Sequence, residues 1–117
     1  MLSKLRTQHV WAVLPILIIA LVPARVIAET VYVKYRGPLD LSNLQCQWVT
    51  RSSLVRRLCY DKGNQYVVVS LNGTYYHYCA VPPSVVSQWQ AADSMGKYFN
   101  AVIKGRYDCL VNPVPPY

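Results

Sequence analysis

The sequence predicts a small α+β domain, in which a three-stranded antiparallel meander precedes two short helices packed on one face of the sheet, with disulfides stapling the fold. Three observations predict this class. Runs of β-branched and apolar residues come before segments with helical spacing. An Asn-Gly dipeptide separates two of those runs. Four cysteines occur in a chain of 117 residues, which is long enough for only one domain.

The first 28 residues are predicted to be a secretory signal peptide. Lys4 and Arg6 form a basic start, and the apolar run 10–22 is shorter than the ~20 residues that a membrane-spanning helix needs. Ala28 supplies a small residue before the cut, with cleavage after Ala24 as the second choice and an uncleaved anchor as the alternative. We therefore expect an exported protein, located in the periplasm or the extracellular space.

Residues 29–50 form an N-terminal extension to the predicted domain. Alternation of apolar and polar residues over 30–35 predicts a short strand or an extended arm. The Arg-Gly-Pro sequence at 36–38 ends that pattern. Without the leader, nine basic side chains face five acidic ones, a net charge of +4, so part of the formal net charge of +7 belongs to the leader.

Three consecutive strands are predicted over 54–60, 66–71 and 74–79. The middle segment, YVVVSL, carries the strongest strand signal because it is β-branched and apolar throughout. The Asn-Gly dipeptide after it predicts a tight hairpin. A two-residue turn and a three-residue loop that includes Thr74 both fit the sequence at this point.

Two helices are predicted after the sheet. Pro82 and its neighbour end the last strand, and the first helix follows over 84–92. Ser94 is suited to cap the second helix and Gly105 to end it, whereas the proline-rich tail 111–117 is expected to be extended. The apolar residues predicted to face the sheet are Val85, Val86, Trp89, Ala92, Met95, Phe99, Val102 and Ile103.

The four cysteines are predicted to form two structural disulfides, because the chain is short and exported. No Cys-x-x-Cys pair occurs, so we expect no metal site. A Cys59–Cys79 bridge is the least expected one if the central strand lies between the two cysteines, because strands two apart are about 9.6 Å from each other and a disulfide needs Cα atoms within about 7 Å. Cys46–Cys59 with Cys79–Cys109 is one remaining pairing. Cys46–Cys79 with Cys59–Cys109 is favoured, because the extension and the last helix must each cross the sheet.

The stretch from Ser52 to Tyr107 resembles the KTSC domain, a small family named after a C-terminal domain of some lysyl-tRNA synthetases, and it defines a KTSC-like domain over 51–110. The resemblance implies an RNA-binding module, with Tyr-x-Tyr as its central motif. Other matching positions are Leu54, Leu58, Val81, Ala92 and Ile103. The motif residues, which we expect to be structural, are Ser52, Tyr60, Asp61, Gly73, Tyr76, Tyr78, Pro82, Ser94, Gly96, Phe99 and Asn100.

Candidate binding residues lie on the last strand and among the cations. Strand alternation predicts that Tyr76 and Tyr78 face the helices, whereas Tyr75 and His77 point outward. Outward aromatic side chains can stack on bases or sugar rings. The cations that could join them in a binding patch are Arg56, Arg57, Lys97 and Lys104. The alternative is a dispersed, solvated set of charges.

No catalytic constellation is visible in the sequence. His77 is the single histidine after the leader, the cysteines are expected to be paired, and the acidic residues are scattered. We therefore expect a non-catalytic binding domain, without a cofactor, that binds an anionic polymer or nucleic acid. One alternative is a protein-interaction partner in the cell envelope that uses an aromatic surface or the proline-rich tail. A small hydrolytic enzyme that depends on His77 is a further alternative.

Overall fold

The computed structural model describes residues 28–117, so the signal-peptide prediction lies almost wholly outside the described residues. The strands form one curled six-stranded sheet in the order β2-β1-β6-β5-β4-β3. Their bounds are β1 (Thr30–Val33), β2 (Gly37–Asp40), β3 (Gln45–Trp48), β4 (Val55–Asp61), β5 (Tyr66–Leu71) and β6 (Thr74–Tyr78). The α+β class is confirmed, but the three-stranded description was inexact, because 29–50 contributes three further strands.

The predicted meander forms the middle of this sheet. Leu58 on β4, Val69 on β5 and Tyr76 on β6 lie side by side in two antiparallel pairings. Leu71 pairs with Thr74, which makes the hairpin connection a two-residue turn. Both turn residues have positive φ, 50° at Asn72 and 92° at Gly73, as a type I′ turn requires.

The central strand β5 is buried on both faces of the sheet. Val67 and Val69 face the helices, whereas Tyr66 and Val68 belong to a second cluster on the opposite face. A strand covered on both sides needs no alternation of apolar and polar residues. This burial is the physical reason for the unbroken apolar run in β5.

Two helices cover one face of the sheet. They are α1 (Pro83–Ala91) and α2 (Met95–Tyr98), and α2 continues into a π-helical turn, Phe99–Ile103. The predicted cap is confirmed, since the Ser94 hydroxyl accepts a hydrogen bond from the Lys97 N–H. Inside this layer, the indole Nε1 of Trp89 donates to the Met95 carbonyl at 3.1 Å.

The opposite face of the sheet carries a second hydrophobic core. The extension supplies Val33, Leu39, Leu41 and Leu44, which pack with Val68 and its neighbours. The tail residues Val114 and Tyr117 also pack there. The extension and the tail are therefore parts of the packed domain.

The disulfides are Cys46–Cys59 and Cys79–Cys109. The favoured alternative pairing was wrong, because the extension does not cross the sheet at this point. It runs beside β4 as the edge strand β3, which places Cys46 directly opposite Cys59. The expectation that Cys59 and Cys79 do not pair is confirmed, since β5 lies between β4 and β6. In the described part of the chain, no helix has the length and apolarity needed to cross a bilayer.

Candidate functional site

A groove of about 370 Å³ lies along the outer edge of β6. The groove is present because β1 pairs with only a short part of β6. The parallel pairing is confined to Val33 and Tyr75, and the chain then enters the β1–β2 turn. The residues that line the groove are Tyr35, Tyr76, His77, Tyr78, Gly105, Asp108, Cys109, Leu110 and Val114.

Two strongly exposed side chains flank the groove. Tyr35 is 81% exposed and Leu110 is 92% exposed. Tyr35 also has a positive φ of 71°, a conformation that costs free energy for a bulky residue and that is concentrated at functional sites. Large apolar side chains exposed next to a concave surface are typical of a binding site.

His77 lies in the groove and contacts the second core beneath it. Its Nδ1 is hydrogen-bonded to the Tyr66 hydroxyl at 2.8 Å. Burial lowers the pKa of His77, the nearby Arg36 charge lowers it further, and Asp108 opposes the shift. His77 is therefore a neutral, half-buried group at neutral pH.

Arg36 holds the tail beneath the groove. Its guanidinium lies over the rings of Tyr66 and Tyr117, 5.2 and 5.6 Å from their centroids. It donates hydrogen bonds to backbone oxygens of Pro115 and Tyr117. The Tyr117 hydroxyl in turn donates to Asp61. These contacts position Val114 in the groove wall.

The predicted aromatic residues of β6 divide between the two faces of the sheet. Tyr76 and Tyr78 pack against the helix-side core, and Tyr78 meets Phe99 with ring centroids 5.7 Å apart. Burial raises the pKa of Tyr78 to about 12, with smaller contributions from Tyr76 and Asp108. Tyr75 and His77 are half-buried on the other face, where the extension and the tail cover much of their surface.

The predicted cations are in different environments. Arg57 is buried and forms an ion pair with Glu29, whereas Arg56, Lys97 and Lys104 are exposed. Arg51 donates to carbonyl oxygens at the C-terminal end of α1. Of the predicted cations, Arg57 is therefore already occupied by the extension, and the neighbouring Arg51 is occupied by the end of α1.

Several family-motif residues make local structural contacts. The Ser52 hydroxyl accepts from the Val55 N–H, and the Tyr60 hydroxyl donates to the Val81 carbonyl at 2.6 Å. Asp61 accepts from Asn64 in the β4–β5 turn.

The other motif residues build the entry to the helices. Pro82 precedes α1, and Gly96 lies against Leu54, whose Cβ would be 3.4 Å from an added Cβ. The Asn100 side chain donates to the Gly96 carbonyl, while Phe99 is buried in the core.

Sequence reasoning missed Tyr35, Asp108, Leu110 and Val114 as groove residues. They come from two segments outside the predicted meander and helices, and only tertiary packing brings them to β6. One local signal was available, since the Arg-Gly-Pro break directly after Tyr35 indicates that β1 ends there. Within residues 28–117, no three His, Cys, Asp or Glu side chains are grouped as a metal site would require.

Comparison with known proteins identifies the family. The family model described as the KTSC domain matches residues 51–107. An uncharacterized protein of Stutzerimonas stutzeri is 43% identical over 58 residues, which cover 49% of this chain and 82% of that protein. A lysine–tRNA ligase of Nostoc punctiforme is 34% identical over 56 residues, which cover 47% of this chain but only 10% of the ligase.

A solved structure agrees with this match. The crystal structure of a KTSC domain protein from Yersinia pestis superimposes with a TM-score of 0.52 at 30% sequence identity, covering 56% of this chain and 92% of that one. Each disulfide here joins one cysteine inside the matched segment to one outside it. The chain therefore belongs to the KTSC domain family, with an extension and a tail bridged to the family domain.

Proposed function

We propose that this protein is an exported, non-catalytic binding domain that holds a segment of a protein partner in the groove beside β6. The observation that carries the proposal is the pairing of two strongly exposed side chains, Tyr35 and Leu110, across one concave surface. Burial of such side chains by a partner is favourable, at roughly 25 cal/mol per Å² of apolar surface.

The chemistry of the groove supports binding without catalysis. The partner of His77 Nδ1 is the Tyr66 hydroxyl, rather than the carboxylate that orients the histidine of a Ser-His-Asp triad. Cys109 and Cys79 are joined in a disulfide and supply no thiolate. A nucleophile held by His77 in the way that acyl-transfer enzymes require does not line the groove.

Export is supported by the two disulfides, because such bridges form and persist in oxidising compartments. The backbone carbonyl of Glu29 accepts from the Leu41 N–H at 2.8 Å, and its carboxylate binds Arg57. Cleavage after Ala28 would thus release a chain whose first residue is already anchored. Mass spectrometry of the exported protein should find Glu29 at the N-terminus, and full-length protein retained in the cytoplasm would contradict export.

A second candidate function is binding of an anionic polymer or nucleic acid through Arg56, Lys97 and Lys104. Their exposure and the similarity to a segment of a lysine–tRNA ligase favour it. Replacing all three by Ser should then weaken binding to heparin or RNA and flatten its salt dependence. An unchanged salt slope would remove this candidate and leave the protein-partner function.

The groove function is tested with a displayed library of short random peptides. Selection on the wild-type protein should yield peptides that lose binding to Tyr35→Ser and to Leu110→Ser. Matched controls are Tyr32→Ser and Val111→Ser, because these residues are also strongly exposed but do not line the groove. Selected peptides that bind all four variants equally, or no selected peptides, would refute a peptide-binding groove.

A further inference from the structure

We propose that the partner binds as an extended strand added to the open edge of β6 at His77, and that it carries an apolar side chain flanked by acidic residues. This inference rests on the function proposed above, because it specifies how the same groove holds its partner. Strand addition to an exposed sheet edge is a common mode of peptide recognition.

The backbone of His77 offers a donor and an acceptor to the groove. Along a strand, the backbone groups of successive residues point to opposite neighbours. The Tyr75 carbonyl accepts from the Lys34 N–H at 2.8 Å, so Tyr75 directs its backbone groups away from β5. His77, two residues further on, directs its N–H and C=O the same way. Among residues 28–117, no backbone hydrogen bond reaches His77 from that side.

The open edge is bounded at both ends. At one end, β1 leaves β6 after its pairing with Tyr75. At the other end, the Cys79 N–H donates to the Tyr107 carbonyl at 2.9 Å. The backbone from Tyr75 to Cys79 spans roughly 13 Å at ~3.3 Å per residue. About three residues of an added strand fit between these boundaries.

The side chains around this edge favour an apolar anchor. A strand paired with His77 would place alternate side chains on opposite faces of the enlarged sheet. Leu110 and Val114 line the groove next to this position, and Leu110 is almost fully exposed. An aliphatic or aromatic side chain of the partner would remove both from water.

The charges around the groove favour acidic flanks. The Lys34 ammonium lies 5.5 and 5.6 Å from the ring centroids of Tyr35 and Tyr76, which both line the groove. At the other end, exposed Lys104 and Arg106 flank Gly105, which also lines it. The one acidic lining residue is Asp108, and its carboxylate already accepts from the Leu110 N–H at 2.8 Å. Cations therefore stand at both ends of the edge.

Single-stranded RNA is the competing occupant, since cations and tyrosine rings can bind phosphates and bases. The geometry favours a peptide for two reasons. Tyr76 and Tyr78 are packed against the helix-side core, so these two rings are less accessible for base stacking than exposed rings would be. The donor and acceptor of His77 also match the repeating N–H and C=O groups of a peptide, which a nucleic-acid backbone lacks.

The probes are synthetic peptides of about seven residues, with an alternating apolar pattern and either Glu or Lys at both flanks. Each is also made with one backbone amide N-methylated at a time, which removes a donor without changing the protein. Titration into ¹⁵N-labelled protein gives the dissociation constant, and hydrogen exchange reports on the His77 amide. A uridine-rich RNA oligonucleotide tests the competing occupant, and a concentration series of the protein alone tests whether it dimerises through this edge.

We expect Glu-flanked peptides to bind about tenfold more tightly than Lys-flanked ones and to protect the His77 amide. Binding should be lost on methylation at one position only, the amide that donates to the His77 carbonyl. Groove-dependent binding that leaves the His77 amide unprotected, or that tolerates methylation at every position, would overturn strand addition and leave the proposed function intact. If no peptide shows binding that depends on Tyr35, both strand addition and the proposed function are overturned. RNA that shifts the same amides more strongly, or dimerisation of the protein through this edge, would overturn the peptide partner.

Discussion

Arg57 and Glu29 form a bidentate ion pair that ties the beginning of the extension to β4. Nη1 of Arg57 donates to Oε2 of Glu29 at 2.6 Å, and Nη2 donates to Oε1 at 2.9 Å. The same guanidinium lies 4.3 Å from the ring centroid of Trp48 and donates to the Tyr75 hydroxyl. The hydrogen bond from Arg57 lowers the pKa of Glu29, so the pair is charged at neutral pH. Arg57 therefore holds residues from three segments of the chain together.

Replacing Glu29 by Gln should destabilise the fold. The change leaves the buried Arg57 guanidinium without its counter-charge, although Glu29 is itself half-exposed and solvent screens part of the effect. We expect a loss of about 1 kcal/mol in the free energy of unfolding, measured by urea denaturation. Asp93→Asn is the control, since Asp93 is an exposed acid outside this pair. Equal effects of the two changes would contradict an anchoring role for the pair.

Removing the Cys79–Cys109 bridge should cost more than removing Cys46–Cys59. The first closes a separation of 30 residues and the second one of 13, and loop-closure entropy favours the longer loop by about 0.5–1 kcal/mol. The comparison uses the two double Cys→Ala variants in thermal denaturation. Only loss of Cys79–Cys109 should also abolish groove binding, because Cys109 and its neighbours form one wall. The reverse order of stability would show that another effect outweighs the entropy term.

The stability of the protein should fall as the pH decreases from about 6.5. The pKa of His77 is lowered in the fold by burial and by Arg36, against an ordinary value of 6.5. At pH values between the lowered pKa of His77 and 6.5, the unfolded chain binds more protons than the folded protein. The free energy of unfolding therefore decreases as the pH falls through this range. In contrast, the Glu29 carboxylate stabilises the fold fully above its ordinary pKa of 4.5, and this contribution is lost only as the pH falls below that value.

His77→Gln isolates this effect, because glutamine hydrogen-bonds but does not titrate. Thermal melts between about pH 7 and pH 5 should show a smaller fall in Tm for the variant than for the wild type. NMR titration of the His77 ring should give a pKa below 6.5. An identical fall in Tm for both proteins would assign the pH dependence to other groups.

Tyr60→Phe should lower the free energy of unfolding by about 1–2 kcal/mol. The change removes the hydroxyl that donates to the Val81 carbonyl, and Val81 is fully buried. An acceptor left unsatisfied in the interior costs about this much. Tyr107→Phe is the control, because Tyr107 packs against the same core but its hydroxyl makes no hydrogen bond among residues 28–117. Equal stability of Tyr60→Phe and wild type would contradict the role of this contact.

The sequence alone determined the elements whose signals are local. The β5 run, the Asn72-Gly73 turn and the Ser94 cap are each specified within a few residues, and the structure has all three. The cysteine count and the short chain likewise predicted two disulfides. The match between the motif residues and the family was also readable in the sequence, because the motif positions build local turns and helix contacts.

Tertiary structure decided how the rest of the chain uses those elements. The extension pairs with β6 through one parallel register point and with β4 as an edge strand, and neither pairing has a signal in local periodicity. That choice of neighbours set the disulfide pairing and built the second core. It also left His77 at an open edge, with Tyr35 and Leu110 brought together from opposite ends of the folded chain. Contacts between distant segments depend on the free energy of packing the whole domain, which no single stretch of sequence encodes.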